Sequence, residues 1–257
     1  MNSKEIFTAF LTIFRKEIVR FTRIWPQTIL PSVITMTLYF VIFGKFIGSQ
    51  LGNINGYTYM QFIVPGLVMM AVITNSYSNV VSSFFGSKFQ RSVEELLVSP
   101  TPDYIIILGY VSGGTARGIT VGLAVTITSL FFEPLNIHNP GFTIIYIFIT
   151  SFLFSLAGFM NSIFAKKFDD ISIIPTFVLT PLIYLGGVFY SISLLPKFWQ
   201  TISMANPVLY MINGFRFGFL GISDVNVFLG LVISMFFVVT LFLANLYLLK
   251  KGVGLKE

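Results

Sequence analysis

The chain has 257 residues, 55% hydrophobic, 17% aromatic and only 10% charged, with a formal charge of +6 and a mean hydropathy of +0.85. A soluble domain carries about 25% charged residues, so that class is excluded and the apolar surface calls for lipid. With no cysteine and a single histidine, His138, there is no disulfide framework, no thiolate nucleophile and no Cys-ligated metal, and acid–base chemistry has few candidate groups.

Residues 1–23 read as an amphipathic helix lying in the membrane plane. Ile6, Phe7, Phe10, Ile13, Phe14, Ile18 and Phe21 share one arc, with Arg15, Lys16, Arg20 and Arg23 opposite. No signal peptide is expected, because no small-residue cleavage site follows the first apolar run. Glu17 falls inside the apolar arc, where it either finds a basic partner on a neighbouring element or sits hydrated among headgroups.

The first span is expected at 24–46, anchored by Trp25 and carrying Pro26 and Pro31 in its first turns. Residues 47–57, with Gly48, Gly52, Asn53, Asn55 and Gly56, read as a loop. The second span, 58–85, is polar in its latter half. Asn75, Asn79 and Ser82 share a face there, which suits a helix contact or a wet cavity better than lipid.

A charged interruption follows at 86–103. Phe89, Val93, Leu96 and Leu97 form one stripe, with Lys88, Arg91, Glu94 and Glu95 on the other side. Ser87 as a cap and Pro100 and Pro102 as terminators predict a helix of about three turns, too short to span a bilayer. Such a helix either rests on headgroups or is gripped by a cytoplasmic partner.

The third span, 104–132, carries Gly109, Gly113, Gly114, Gly118 and Gly122 at overlapping GxxxG spacings that allow close helix approach. Arg117 lies among them. It either faces protein or water as a functional group or reaches back to the cytoplasmic interface. A loop at 133–140, a fourth span at 141–164, the charged turn AKKFDD and a fifth span at 171–189 come next. Pro175 and Pro181 are expected to bend the fifth span, along which Thr176, Thr180 and Tyr184 form a polar stripe. Residues 190–223 are too Pro-broken for a clean span and too apolar for a free loop. They predict a re-entrant hairpin of two short helices, 196–204 and 207–221. The last span is 225–249, ahead of a basic tail.

Basic residues orient the six-span arrangement. Lys4, Arg15, Lys16, Arg20, Arg23, Lys88, Arg91, Lys166, Lys167, Lys250, Lys251 and Lys256 fall on one side, against Lys45, Lys197 and Arg216 on the other. Both termini and the 86–103 helix are therefore expected in the cytoplasm, with the positive charge read as membrane topology and no nucleic-acid partner implied. There is no GxxxxGK[ST] loop and no Ser/His/Asp or Cys/His set, so the chain is not expected to be an enzyme. The drawn spans also lack the mid-depth carboxylates usual in ion-driven carriers.

KEIVRF, the PGL of Pro65–Leu67, KFQRSVEELLVSP, FDDIS, and GGVFYSISLLPKFWQ followed by NPVLYMINGFRFGFLG together resemble the membrane subunit of an ABC-2 type exporter over almost the whole chain. The resemblance implies an all-α integral membrane protein of the bacterial inner membrane. Its features would be six transmembrane helices, an N-terminal interfacial helix, a cytoplasmic coupling helix and a re-entrant hairpin between spans 5 and 6. It implies a homodimer bound to two copies of a separate ATP-binding subunit, which would hold ATP and Mg, leaving no cofactor in this chain. By the same resemblance, coupling to the ATPase falls on Phe89, Arg91, Glu94, Glu95 and Leu97, with Glu17 and Arg20 on the connecting helix. The pathway would then pass Asn75, Asn79, Ser82, Thr176 and Thr180. Alternating access would move an amphiphilic cargo outward. An ion-driven secondary carrier and a non-transporting membrane scaffold remain as alternatives at this stage.

Overall fold

The computed structural model describes residues 1–48, 50, 52–54, 56–134 and 137–254. Asn55 in the first loop and Lys256 in the basic tail lie outside the described residues. Within them the chain is helical, with one isolated bridge between Ile54 and Tyr57.

Helix α1 (Ser3–Arg23) opens on a capping box between Asn2 and Glu5. The first span begins in two pieces, α2 (Trp25–Thr28) and α3 (Leu30–Tyr39), and continues as a π-helix over Phe40–Ile47. Pro26 and Pro31 fall in the first turns of α2 and α3, where a missing N–H leaves no bond unmade. Helix α4 (Tyr59–Phe89) starts on a second capping box, Thr58 with Gln61, and runs past the expected end at 85. After it come α5 (Ser92–Val98), α6 (Asp103–Ser129) and α7 (Pro140–Phe164).

The fifth expected span, 171–189, is shorter than drawn. It comprises α8 (Asp170–Ile174), a π segment (Pro175–Leu179) and α9 (Thr180–Tyr184). The Thr180 N–H reaches back five residues to the Pro175 carbonyl, which also accepts the Thr180 hydroxyl at 2.9 Å, so the ladder runs in π register there, while the Ile171 carbonyl, which the missing Pro175 N–H cannot serve, accepts from Asn161 Nδ2 at 3.4 Å. The run covers about 22 Å at about 1.5 Å per residue, short of a hydrocarbon core of about 30 Å. Gly187, in the left-handed region at φ 74°, then turns the chain. Among the described residues, five helical stretches are thus long and apolar enough to cross a membrane: Trp25–Ile47, α4, α6, α7 and the final helix α12 (Val227–Lys251). The expected hairpin region holds α10 (Lys197–Met204) and α11 (Pro207–Leu220), split at Asn206-Pro207, where Asn206 caps α11.

Helix α4 is the centre of the fold. Its most apolar stretch is 83% buried, against 11% for the first span and for α12, which present their sides outward. It packs on α6, α7 and α11, and its Leu67, Val68 and Ile73 lie in the main core. The glycines of α6 divide between two neighbours. A Cβ on Gly113 would sit 2.3 Å from the Glu17 Cβ of α1, and one on Gly118 would sit 1.8 Å from Ser76 Oγ of α4. Because Ile13 meets Gly109 and Glu17 meets Gly113, α1 advances in step with α6 over this turn and is inclined along it there.

Candidate functional site: a polar seam on α4 and the loop face beneath it

The coupling helix differs from its expected bounds of 86–103. Residues 86–89 continue α4, and the Ser87 hydroxyl meets the Tyr110 hydroxyl at 3.1 Å instead of capping a new helix. Lys88 Nζ donates to the carbonyls of Ile163 (2.8 Å) and Ala165 (2.7 Å) at the end of α7, closing acceptors that a helix C-terminus leaves open. The break comes at Arg91, whose φ of 59° is left-handed, and α5 begins only at Ser92. Phe89 therefore belongs to the end of α4, and the helix expected at 86–103 is two turns long.

On α5, Val93 is 2% exposed and enters a second core cluster with Ile13 of α1, Phe84 and Tyr110. Leu96 and Leu97, both partly buried, pack against the same cluster. Arg91, Glu94, Glu95 and Val98 are exposed, as is Phe89. The Phe89 ring lies 4.8 Å from that of Phe168, which is 5.1 Å from Phe85, so the turn after α7 joins the same face. Backbone N–H groups of Lys166 (2.8 Å) and Lys167 (3.0 Å) donate to Asp170 Oδ2 and fix that turn. Sequence reading missed Phe168, Val98 and the role of Lys88; the exposed Phe in a charged turn was the available signal.

Above this face a polar seam runs along α4. Glu17 is fully buried and takes the first of its two expected environments, although its basic partner lies on its own helix: Arg20 Nη2 is 3.1 Å away. Ser83 Oγ donates to Glu17 Oε1 at 2.6 Å, and Asn79 Nδ2 approaches Oε2 at 3.5 Å. Arg20 Nη2 also donates to the Asn79 carbonyl (2.9 Å) and Oδ1 (2.8 Å). One turn along, Asn75 Nδ2 donates to Ser32 Oγ at 2.9 Å, and Asn75 Oδ1 accepts from Arg117 Nη2 at 3.1 Å. The seam thus repeats at i, i+4, i+8 through Asn75, Asn79 and Ser83, a helical spacing legible in the sequence although Ser82 was taken in place of Ser83. Arg117 is half-buried and turned to protein, with a long second bond of 3.5 Å to the Thr28 carbonyl.

The expected pathway residues are not assembled within one chain. Asn75 and Asn79 are buried and hydrogen-bonded in the seam, Ser82 and Thr176 are exposed, and Thr180 is bonded to its own backbone. No hydrogen bond joins Thr176 or Thr180 to the three α4 residues among the described residues.

A third cluster holds the hairpin. Arg216 of α11, counted above by its side of the span pattern, is 1% exposed and enclosed by protein. Nη2 donates to the carbonyls of Gly187 (2.6 Å) and Val188 (3.4 Å), Nε donates to Phe62 (3.4 Å), and the guanidinium lies 4.0 Å from the Phe62 ring.

Residues 8–220 match the ABC-2 type transporter family. The chain is 58% identical over 249 residues to the inner membrane transport permease YadH of Escherichia coli K12, covering 97% of each chain, and the same figures hold for YadH of Shigella flexneri. It is 22% identical over 242 residues to nodulation protein J of Rhizobium leguminosarum bv. viciae, covering 94% of this chain and 93% of that one.

Proposed function

Because this chain belongs to the ABC-2 type transporter family, we propose that it is the membrane-spanning permease subunit of an ATP-binding cassette exporter. In this reading two copies of the chain sit in the inner membrane with both termini in the cytoplasm, and two copies of a separate ATPase bind from that side. The bent 170–184 helix serves as the sixth membrane-crossing element, its exposed Ile173, Phe177 and Val178 turned to lipid or to the second copy. ATP-driven closure of the ATPase pair moves α5 and the Phe89/Phe168 face, and the spans part outward by alternating access. The cargo is an amphiphile, moving between the α4 and α8–α9 faces of the two copies, where the exposed Ser82 and Thr176 would lie. The inner-membrane transport permeases at 58% identity support this membrane and this role.

One observation carries the coupling assignment. Helix α5 is fixed to the core by Val93 on one side and presents Glu94 and Glu95 outward on the other, so force applied to its exposed face reaches α1, α4 and α6 through a packed contact. Glu94→Arg with Glu95→Arg is expected to leave the permease folded in membranes, because both side chains are exposed. It should abolish stimulation of ATP hydrolysis in the partner by reversing two charges at the contact. ATPase assays on co-purified subunits check this, and normal stimulation in the double variant would reject the assignment.

A further inference from the structure

Arg117 has no ion-pair partner among the described residues. The Glu17–Arg20 contact is the one ion pair among the described residues, so the single buried carboxylate of the seam is already engaged. The acceptors of Arg117 are neutral: Asn75 Oδ1 at 3.1 Å and the Thr28 carbonyl at 3.5 Å. Its Nε is enclosed without an acceptor, and its Nη1 makes no hydrogen bond among the described residues yet is not enclosed. Arg20 adds a like charge nearby. Neutral acceptors also hold Arg216, but Arg117 differs in keeping one guanidinium nitrogen, Nη1, open, which leaves room for an anion from outside the chain.

The surroundings say what kind of anion can reach it. Thr120, Leu123 and Ile127, one to three turns further along α6, are exposed, Leu123 at 55% and Ile127 at 60%. On the other side lies the broken start of the first span, where Trp25 is 55% exposed. Both flanks are exposed and apolar, so whatever reaches the open edge of Arg117 lies against apolar surface. Arg117 lies one turn beyond Gly113, where Glu17 of the amphipathic α1 packs, and about 21 Å along α6 from Asp103.

We infer that Arg117, oriented by Asn75 and Thr28, is a binding site for the anionic headgroup of a bilayer amphiphile, a phosphate or carboxylate carried on acyl chains. A charge-assisted bond joins that anion to the guanidinium, and the acyl chains lie along the apolar face of α6. Two sources share this chemistry: a resident anionic lipid, and the cargo itself on entry from the inner leaflet. The site deepens the transport reading, but it is measured without the ATPase, so failure of coupling leaves it standing.

The test uses the full-length purified permease. Thermal unfolding and native mass spectrometry are compared with phosphatidylglycerol, with phosphatidylcholine and with inorganic phosphate. The wild type should bind phosphatidylglycerol about tenfold more tightly than phosphatidylcholine and gain nothing from inorganic phosphate, the order of effect of one charge-assisted contact. Arg117→Gln should erase the preference, and Arg117→Lys should keep part of it. No preference in the wild type overturns the inference even if Arg117→Gln fails to fold. An undiminished preference in Arg117→Gln, or equal protection by inorganic phosphate, overturns it as well. In complex with the ATPase, lipid retained through ATP turnover marks a resident headgroup and lipid discharged marks cargo, and either result supports the site.

Discussion

Arg216→Ala is expected to destabilise the purified permease by about 3–5 kcal/mol, read as a fall of about 10 °C in apparent Tm. The substitution removes a large side chain that is 1% exposed and leaves a cavity that the surrounding helices cannot collapse into. It also deletes the donors to Gly187 and Val188, whose carbonyls lie in an irregular turn where no helix ladder replaces them. The stacking on Phe62 is lost with it. Arg216→Lys should recover only part of the loss, because one ammonium cannot serve the Gly187 and Phe62 carbonyls with the geometry of a planar fork. Thermal unfolding followed by loss of a monodisperse gel-filtration peak checks the series. A near-wild-type Tm in Arg216→Ala would show that the hairpin is held by apolar packing of α11 alone.

The second large effect is steric. Gly158→Val should prevent accumulation of folded protein, at a cost of more than about 4 kcal/mol. A Cβ at this position of α7 would lie 2.5 Å from the backbone oxygen of Tyr77, in the middle of the central α4–α7 contact. Backbone cannot rotate out of the way as a side chain can, so the two helices must separate, and many buried contacts loosen together. Gly86→Ala is the internal control. No atom lies within 4 Å of its Cβ position, and it sits in the last turns of α4, so the change should be neutral or stabilising by up to about 1 kcal/mol. Expression and Tm of both variants in the same detergent check the pair.

The long apolar helices, the short helices α10 and α11 split at Asn206-Pro207 and the glycine-lined α6 were legible in the sequence because each follows from a strong local signal: hydropathy over many residues, Asn-Pro, or GxxxG spacing. The start of α5 was not legible. Nothing in Gly86–Phe89 reveals that Lys88 will close the carbonyls at the end of α7, a contact between segments 75 residues apart that keeps α4 helical to Phe89. The fifth span was drawn too long because apolarity continues past Tyr184, whereas the chain turns at Gly187 to let Arg216 reach its carbonyls. Buried Glu17 was flagged by its place on the apolar arc, but its neighbours Ser83 and Asn79 belong to another helix, and pairing between helices is not written in the periodicity of either. Arg216 was read by its side of the membrane because its position between Phe215 and Phe217 gives no sign that α11 is enclosed on most of its faces.

The central claim is that α5 faces a cytoplasmic ATPase from a permease whose termini lie on the same side. The chain has no cysteine, so Gln90→Cys places one thiol at the exposed junction between α4 and α5. A membrane-impermeant maleimide should label it in inside-out vesicles and leave it unreacted in intact spheroplasts. Labelling in spheroplasts but not in inside-out vesicles would put the junction on the outer face, beyond reach of any cytoplasmic ATPase, and would contradict the account.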